Sequence, residues 1–375
     1  MKILHIYRTY FPDPPGGLQE AMRQIALATM AFGTESRILT LSPNPIPSEI
    51  ELPEAKIVRL RSLAAPASCD MGGFDALAKF RELSNWADIL HYHFPWPFAD
   101  ILRLFSQKNK PSVMTYHSDI VRQRYLGRLY EPLMRNTLQS MSKVVATSPA
   151  YAKTSRVLQH FVTNQQLQVI PLGIADYQYE IVGDDDFYLK RLLADTTQSF
   201  VLALGVLRYY KGLHVLLEAA ASINAKIIIA GSGAEEEHLK ASMISKKITN
   251  VIFAGQVSHQ QKVILLKHCR VLALPSHLRS EAFGMVLLEA SMFAKPMVSC
   301  ELGTGTSFIN IHGETGWVVP PESPEQLAGA LNSLLEDAAL ANRMGIAARQ
   351  RYEKLFSSEV LGKAYTELYN SVVAG

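Results

Sequence analysis

Phe200-Val201-Leu202-Ala203-Leu204-Gly205-Val206-Leu207-Arg208-Tyr209-Tyr210-Lys211-Gly212 carries the central clue to the architecture of this chain. Five apolar residues without alternation read as a strand covered on both faces, the habit of parallel sheets. The run stops at a glycine, and two cations follow, Arg208 and Lys211, before a second glycine. In open α/β sheets ligands bind at the carboxyl ends of the strands, so these cations stand where a pyrophosphate would lie. Two solvated loop charges would leave the same local pattern.

Working outward, the style repeats. C-terminal to this stretch, strands are expected over 226–230, 251–255, 271–275, 296–300 and 316–319, separated by helical segments. On the N-terminal side, strands are expected over 2–7, 37–41, 87–93, 112–117, 143–147 and 168–171. The helix after the first strand has apolar residues at Leu18, Ala21, Met22, Ile25, Ala26 and Met30, the 3.6 period, with Gly33 placed to end it. Strands alternating with helices predict parallel, doubly wound sheets. The chain of 375 residues is long enough for two such domains. The hinge is placed at Pro171-Leu172-Gly173-Ile174-Ala175, giving domains 1–172 and 173–356.

With 48% hydrophobic and 19% charged residues, the chain is globular rather than disordered. No apolar run approaches the roughly 20 residues of a membrane span, and the start is too short in apolar residues for a secretory signal. Cys69, Cys269 and Cys300 stand singly, which fits a reduced, cytoplasmic setting. A net charge of +3 does not predict nucleic acid as a partner. Its distribution says more: residues 1–172 hold 19 basic and 13 acidic side chains, the remainder 18 and 21. Two domains with different partners are expected from that split.

Several segments can carry chemistry. Gly16 and Gly17 follow the first strand and open a helix, which suits either an ordinary turn or a close approach to an anion. His117 ends a strand and points into the crevice, or is a satisfied core histidine. His91 and His93, two apart on one strand face, could ligate a metal, but no third ligand is evident and the metal reading is set aside. Glu281 and Glu289 flank a helix start where the amides of Phe283, Gly284 and Met285 are free to hold a phosphate, an interaction worth about 0.3–1 kcal/mol, up to ~2 when partly buried. A carboxylate on that helix can accept from both hydroxyls of a ribose. Asp184 and Asp186 sit in a polar loop and are read as solvated. Gly231-Ser232-Gly233 lacks the third glycine of a dinucleotide fingerprint. Residues 120–143 combine Arg122, Arg124, Arg128, Arg135 and Lys143 with apolar residues at helical spacing. That segment reads as a core helix with a solvated face, or as a peripheral contact with anionic lipid.

Together these segments resemble the retaining glycosyltransferases of family 4. The resemblance rests on Gly16-Gly17, Tyr116-His117-Ser118-Asp119, Val169 to Ile174, Lys211-Gly212, Ala230 to Gly233, Pro275-Ser276 and the E-x7-E segment from Glu281 to Glu289. It runs in order across nearly the whole chain. It implies a GT-B fold, two Rossmann-like domains facing each other across a cleft, with a last helix over about 357–375 crossing back to the first domain. It also implies a nucleotide-diphosphate sugar in the second domain, an acceptor in the first, no cofactor and no obligatory metal. His117, Lys211, Arg208 and Glu281 are then the catalytic set, and Gly16, Gly17, Phe283, Gly284, Met285 and Glu289 hold the donor. The family pattern G-R-L-x-x-x-K-G is broken at Val206, and Arg208, two residues on, is expected to replace the missing arginine. The stretch Cys300 to Ser307 resembles bacterial mannosyl- and rhamnosyl-type polysaccharide enzymes, which implies a GDP-linked hexose and a lipid-linked glycan acceptor at the inner membrane face. The alternatives are a nucleotide-sugar 2-epimerase, which needs no acceptor, and a sugar-nucleotide-binding scaffold without catalysis.

Overall fold

The computed structural model describes residues 1–374 except 14–15, 67–68, 108, 121–123, 181–184 and 194–197; of 124–128 and 185–186 only the backbone is described. The chain divides into two compact units, Met1–Ala175 with Ser357–Gly375, and Asp176–Phe356. The division falls at the end of the hinge placed from sequence, three residues beyond the expected domain boundary at 172. The reason is local: Ala175 N donates to Gln24 Oε1 at 2.9 Å, and Ile174 bridges Ser357, so both stay with the first unit.

The first unit is built on strands β1 (Lys2–Ile6), β2 (Glu35–Ser42), β3 (Glu49–Leu52), β4 (Ala55–Arg61), β5 (Ile89–Phe94), β6 (Ser112–Tyr116), β7 (Lys143–Ala146) and β8 (Leu167–Val169). They lie in the order β3-β4-β2-β1-β5-β6-β7-β8, all parallel except β3 against β4. The central strands β5 and β6 are buried along their whole length, histidines and hydroxyls included, as strands covered on both faces are. The β3–β4 hairpin was not expected from sequence. On the edge strand β3, Glu49 and Glu51 alternate with Ile50 and Leu52, and Lys56 of β4 bridges Glu49 at 2.7 Å.

Helix Ser358–Ala374 packs on helix Gly17–Met30. Gly362 permits the approach: a Cβ there would lie 2.4 Å from the Ala28 carbonyl oxygen. From the same helix Tyr365 and Tyr369, both fully buried, reach the sheet beneath.

The second unit carries β9 (Phe200–Leu204), β10 (Lys226–Ala230), β11 (Val251–Gly255), β12 (Val271–Leu274), β13 (Met297–Cys300) and β14 (Gly316–Val319). Their order is β11-β10-β9-β12-β13-β14, every pairing parallel. The core gathers Val201, Ile227, Ile229 and Val271 from the sheet with Leu216, Leu327 and Leu331 from the covering helices. Strand order reverses beside β9, so the loops after β9 and β12 form the switch point where α/β sheets bind ligands.

Of the acidic 184–186 stretch, Asp184 lies outside the described residues, and Asp185 opens helix Asp185–Leu192 rather than sitting in a loop. The backbone of helix Arg124–Ser140 is in place for the basic segment; Arg122 and the side chains of Arg124 and Arg128 lie outside the described residues. Among the described residues no helix is long and apolar enough to cross a membrane.

Candidate active site

In the second unit the site grows from the end of β9. After Leu204 the chain leaves the sheet and is held by Gly205 N donating to Ala230 O and Leu207 N donating to Ser232 O, both at 2.9 Å. A short 3-10 turn, Tyr209–Lys211, closes at Gly212. Gly212 has φ 67°, and a Cβ there would lie 2.0 Å from the Pro275 carbonyl oxygen, so only glycine lets this turn sit on the loop after β12. A shallow hollow opens here, lined by Gly205, Val206, Leu207, Lys211, Leu274 and Pro275.

Lys211 is one polar wall. Its Nζ lies 2.5 Å from Glu281 Oε2, which also accepts from Ser276 Oγ at 3.0 Å. Burial works against the ammonium charge; the Glu281 carboxylate and the Tyr210 hydroxyl outweigh it and hold Lys211 above its ordinary pKa. The lysine is therefore a fixed cation with two donors left after the one given to Glu281. Glu281 is itself immobilised, since Thr304 Oγ1 donates to its carbonyl at 2.8 Å and Gly305 N donates to Ala282 O at 2.8 Å.

Helix Met285–Met292 begins at Gly284, and the amides of Phe283, Gly284 and Met285 make no hydrogen bond among the described residues. Glu289, on that helix, accepts from the Tyr177 hydroxyl at 2.8 Å and from Lys262 Nζ at 2.6 Å, both on Oε1. Its Oε2 has no hydrogen bond among the described residues, leaving one carboxylate oxygen for a ligand. Sequence reasoning found Ser276 only within the family pattern, with no role, and missed Tyr177 and Lys262, which lie 112 and 27 positions from Glu289.

Arg208 requires a correction. The spacing argument treated 206–208 as strand, where residues two apart share a face. In the structure β9 ends at Leu204, and pleat alternation no longer governs these positions. Val206 lines the hollow; Arg208 is exposed at the head of the 3-10 turn, where its carbonyl accepts from Lys211 N at 3.0 Å, and its side chain has no hydrogen bond or ion pair among the described residues.

In the first unit Gly16 is extended and caps helix Gly17–Met30. Pro14 and Pro15, which precede it, lie outside the described residues. His117 follows β6 and is buried. Its Nε2 lies 3.0 Å from His93 Nδ1, and His93 Nε2 lies 3.1 Å from His5 Nδ1. His91, stacked on His93 at 4.3 Å, bonds instead to Tyr369 at 2.8 Å and Thr115 at 2.7 Å. Burial pulls His5 and His117 down to about 3, and His91 and His93 well below their ordinary value, so all four rings are neutral near pH 7. A third imidazole does accompany His91 and His93, contrary to the sequence expectation. It is His5, on the adjacent strand opposite His91. Both nitrogens of His91 and of His93 are already bonded within the protein, so this trio is a hydrogen-bonded cluster rather than a vacant donor set.

A second group able to hold a metal ion is His214, His277 and Glu322, with one ligand atom from each within 4.8 Å of the others. His214 and His277 pack around Tyr209, at 5.5 and 4.8 Å.

Comparison with known proteins extends this picture. Residues 184–351 match the family described as "Glycosyl transferases group 1", and residues 15–176 match "Glycosyltransferase Family 4". The chain is 41% identical to the D-rhamnosyltransferase WbpZ of Pseudomonas aeruginosa over 96% of this chain and 93% of that protein. It is 36% identical to the O-antigen chain mannosyltransferase C of Escherichia coli, over 100% and 99% respectively. Among solved structures, a sucrose-phosphate synthase from Thermosynechococcus elongatus superposes with TM-score 0.84 at 24% identity, covering 100% of this chain and 99% of that one. WaaG, a glycosyltransferase involved in lipopolysaccharide biosynthesis, does so at 0.72 and 19%, covering 100% of both. The epimerase alternative gains no support from these relatives. Two parallel α/β units in the GT-B fold, matched along both halves and at 36–41% identity over nearly full length, make this chain a member of the family 4 glycosyltransferases.

Proposed function

We propose that the chain is a retaining, metal-independent hexosyltransferase. It moves mannose or a closely related hexose from a GDP-linked donor to a glycan acceptor carried on a lipid, in assembly of a cell-surface polysaccharide. Residues 176–356 take the nucleotide and diphosphate, and residues 1–175 take the acceptor. The names of the two relatives support the sugar and the polymer. The basic segment 120–143 is assigned to an anionic membrane surface at the cytoplasmic face.

The observation that carries the reading is a fixed cation and three amides without a hydrogen bond among the described residues, at the carboxyl edge of one sheet. Breaking the anomeric C–O bond leaves positive character on the sugar and negative charge on the departing diphosphate. Donors already aimed at that charge stabilise the transition state more than the ground state. Lys211 and the amides of Phe283, Gly284 and Met285 fill that role, with Gly16 and Gly17 assigned to the same phosphates. Glu289, with Oε2 unbonded, takes ribose hydroxyls. Glu281 holds Lys211 in place and takes hydroxyls of the donor sugar, and His117 is assigned to the sugar as well. The proton lost by the acceptor passes to the leaving phosphate. No residue here is assigned as a nucleophile.

Thermal unfolding with GDP, UDP, ADP and dTDP tests the donor assignment, since saturation near 100 times Kd stabilises by about 2.7 kcal/mol. GDP is expected to give the largest shift; a larger shift with another diphosphate overturns the base. Transfer from GDP-mannose should survive EDTA and give an α-linked product from the α-linked donor. Activity lost to EDTA and restored by Mg²⁺ or Mn²⁺ would overturn metal independence and direct attention to His214, His277 and Glu322.

A further inference from the structure

The histidines of the first unit form a chain rather than a cluster of equals. It crosses four neighbouring strands: Ser36 on β2, His5 on β1, His93 on β5 and His117 just past β6. Ser36 Oγ lies 3.5 Å from His5 Nε2, at the limit of a hydrogen bond. Each ring-to-ring link joins an Nδ1 to an Nε2, at 3.1 Å and then 3.0 Å. The remaining nitrogen, His117 Nδ1, makes no hydrogen bond among the described residues.

A neutral imidazole carries one N–H and one lone pair. Only two proton arrangements satisfy both buried links: all three rings protonated on Nδ1, or all three on Nε2. Any mixed arrangement sets two N–H groups or two lone pairs against each other away from water, where unpaired polar groups are costly. In the first arrangement His117 offers a donor at its free nitrogen; in the second it offers an acceptor.

We propose that His93 and His5 are positioning residues that set the tautomer of His117, so that the three rings switch together and decide whether His117 donates to or accepts from the substrate. His91 stands outside this chain, because its nitrogens go to Tyr369 and Thr115. The functional half of the proposal rests on the assignment of His117 to the donor sugar; the coupling of the rings does not.

Long-range ¹H–¹⁵N spectra of the full chain labelled with ¹⁵N-histidine read each ring's tautomer directly. The wild type is expected to show one common tautomer for His5, His93 and His117, and addition of GDP-mannose should leave or reverse all three together. Unlike tautomers among the three overturn the coupling, and this spectrum needs no variant to fold. His93→Phe keeps the ring stacking but cuts the chain, and should leave His117 in mixed tautomers. His5→Phe, which does not touch His117, should still shift its tautomer ratio. It should also lower kcat by about tenfold, the scale of one net hydrogen bond, with donor KM within roughly twofold. A His5→Phe protein with an unchanged His117 ratio overturns the proposal. If His117→Ala keeps wild-type kcat, the assignment of His117 to the sugar fails, whatever the spectra show of the coupling.

Discussion

The two units share one plan, a parallel sheet with helices on both faces, yet their candidate sites are built from opposite materials. The first unit gathers four buried, neutral imidazoles, joined to one another and to hydroxyls. The second gathers charges in pairs, Lys211 with Glu281 and Lys262 with Glu289. Fold therefore does not dictate the chemistry; the residues at the strand ends do. Paired charges suit a site that must meet a diphosphate whose own charge grows during reaction. Neutral rings suit a site that recognises hydroxyls by hydrogen bonding without adding charge beside a developing cation.

The largest expected effect removes the charge from the second unit. Lys211→Ala should lower kcat by roughly 10²–10³-fold, as for a lost transition-state donor, with a smaller change in donor KM. The substitution also leaves the Glu281 carboxylate buried without its cation, a cost of about 3–5 kcal/mol. Kinetics must therefore be run well below the variant's own melting temperature. Wild-type kcat in a folded Lys211→Ala protein would remove the cation from the mechanism and favour a binding scaffold.

Acid should separate the two units. His5 and His117 are held at about 3, whereas an unfolded chain protonates its histidines near 6.5. The unfolded state binds the extra protons as pH falls, so the stability contributed above 6.5 is lost progressively between 6.5 and 3. By pH 4.5 the loss is about 2–3 kcal/mol for each such ring. Lys211 behaves the other way. Its raised pKa contributes stability that is complete below its unfolded value and fades as pH rises through the folded one. Hydrogen exchange, corrected for intrinsic rates, should show β1 and β5 losing protection between pH 7 and 4.5 while β9 and β12 keep theirs. Equal loss in both sheets would remove the buried histidines as its source.

Much of this contrast was legible in the sequence, and the missing part has a physical cause. Continuous apolar runs revealed the central strands β9 and β12 of the second sheet, because strands covered on both faces need no polar side, while those of the first sheet show only short, mostly apolar runs between turn signals. The β3–β4 hairpin escaped because short alternating runs with charges resemble loops. Lys211, Glu281 and Glu289 were visible as single residues in a spacing pattern. Their pairing was not, since Lys211 and Glu281 lie 70 positions apart and meet only when the loops after β9 and β12 are brought together. His5 escaped for a similar reason: strand order places it opposite His91, and nothing local in Lys2-Ile3-Leu4-His5-Ile6 announces a partner. The argument from Val206 to Arg208 went astray differently. A rule valid within a strand was carried past its end.

Within the second unit the two carboxylates should divide their labour. Glu289→Ala should weaken GDP binding by about tenfold, the loss of one or two net hydrogen bonds. It would also remove the carboxylate that accepts from Lys262 Nζ and from the Tyr177 hydroxyl. Glu281→Ala should chiefly lower kcat, through the loosening of Lys211. Calorimetric titration with GDP, set beside steady-state rates, checks both. Equal losses of GDP affinity would erase the division.

The smallest effect is expected at Arg208. The family pattern places an arginine where Val206 stands, and Val206 lines the hollow while Arg208 is exposed at the head of the 3-10 turn. An exposed cation near a charged ligand gains little, because water and salt screen it, and exposed pairs contribute about 0.2–1 kcal/mol. Arg208→Ala should therefore reduce kcat/KM by no more than roughly fivefold at low salt, with the difference shrinking as salt is added. Val206→Arg tests the other half of the argument. A guanidinium returned to the wall of the hollow beside Lys211 should raise affinity for the diphosphate and, if it acts on the departing charge, kcat as well. A loss at Arg208→Ala as deep as that at Lys211→Ala, insensitive to salt, would mean that the turn carries Arg208 into the diphosphate site when donor binds. The charged set of the second unit would then contain two cations in place of one.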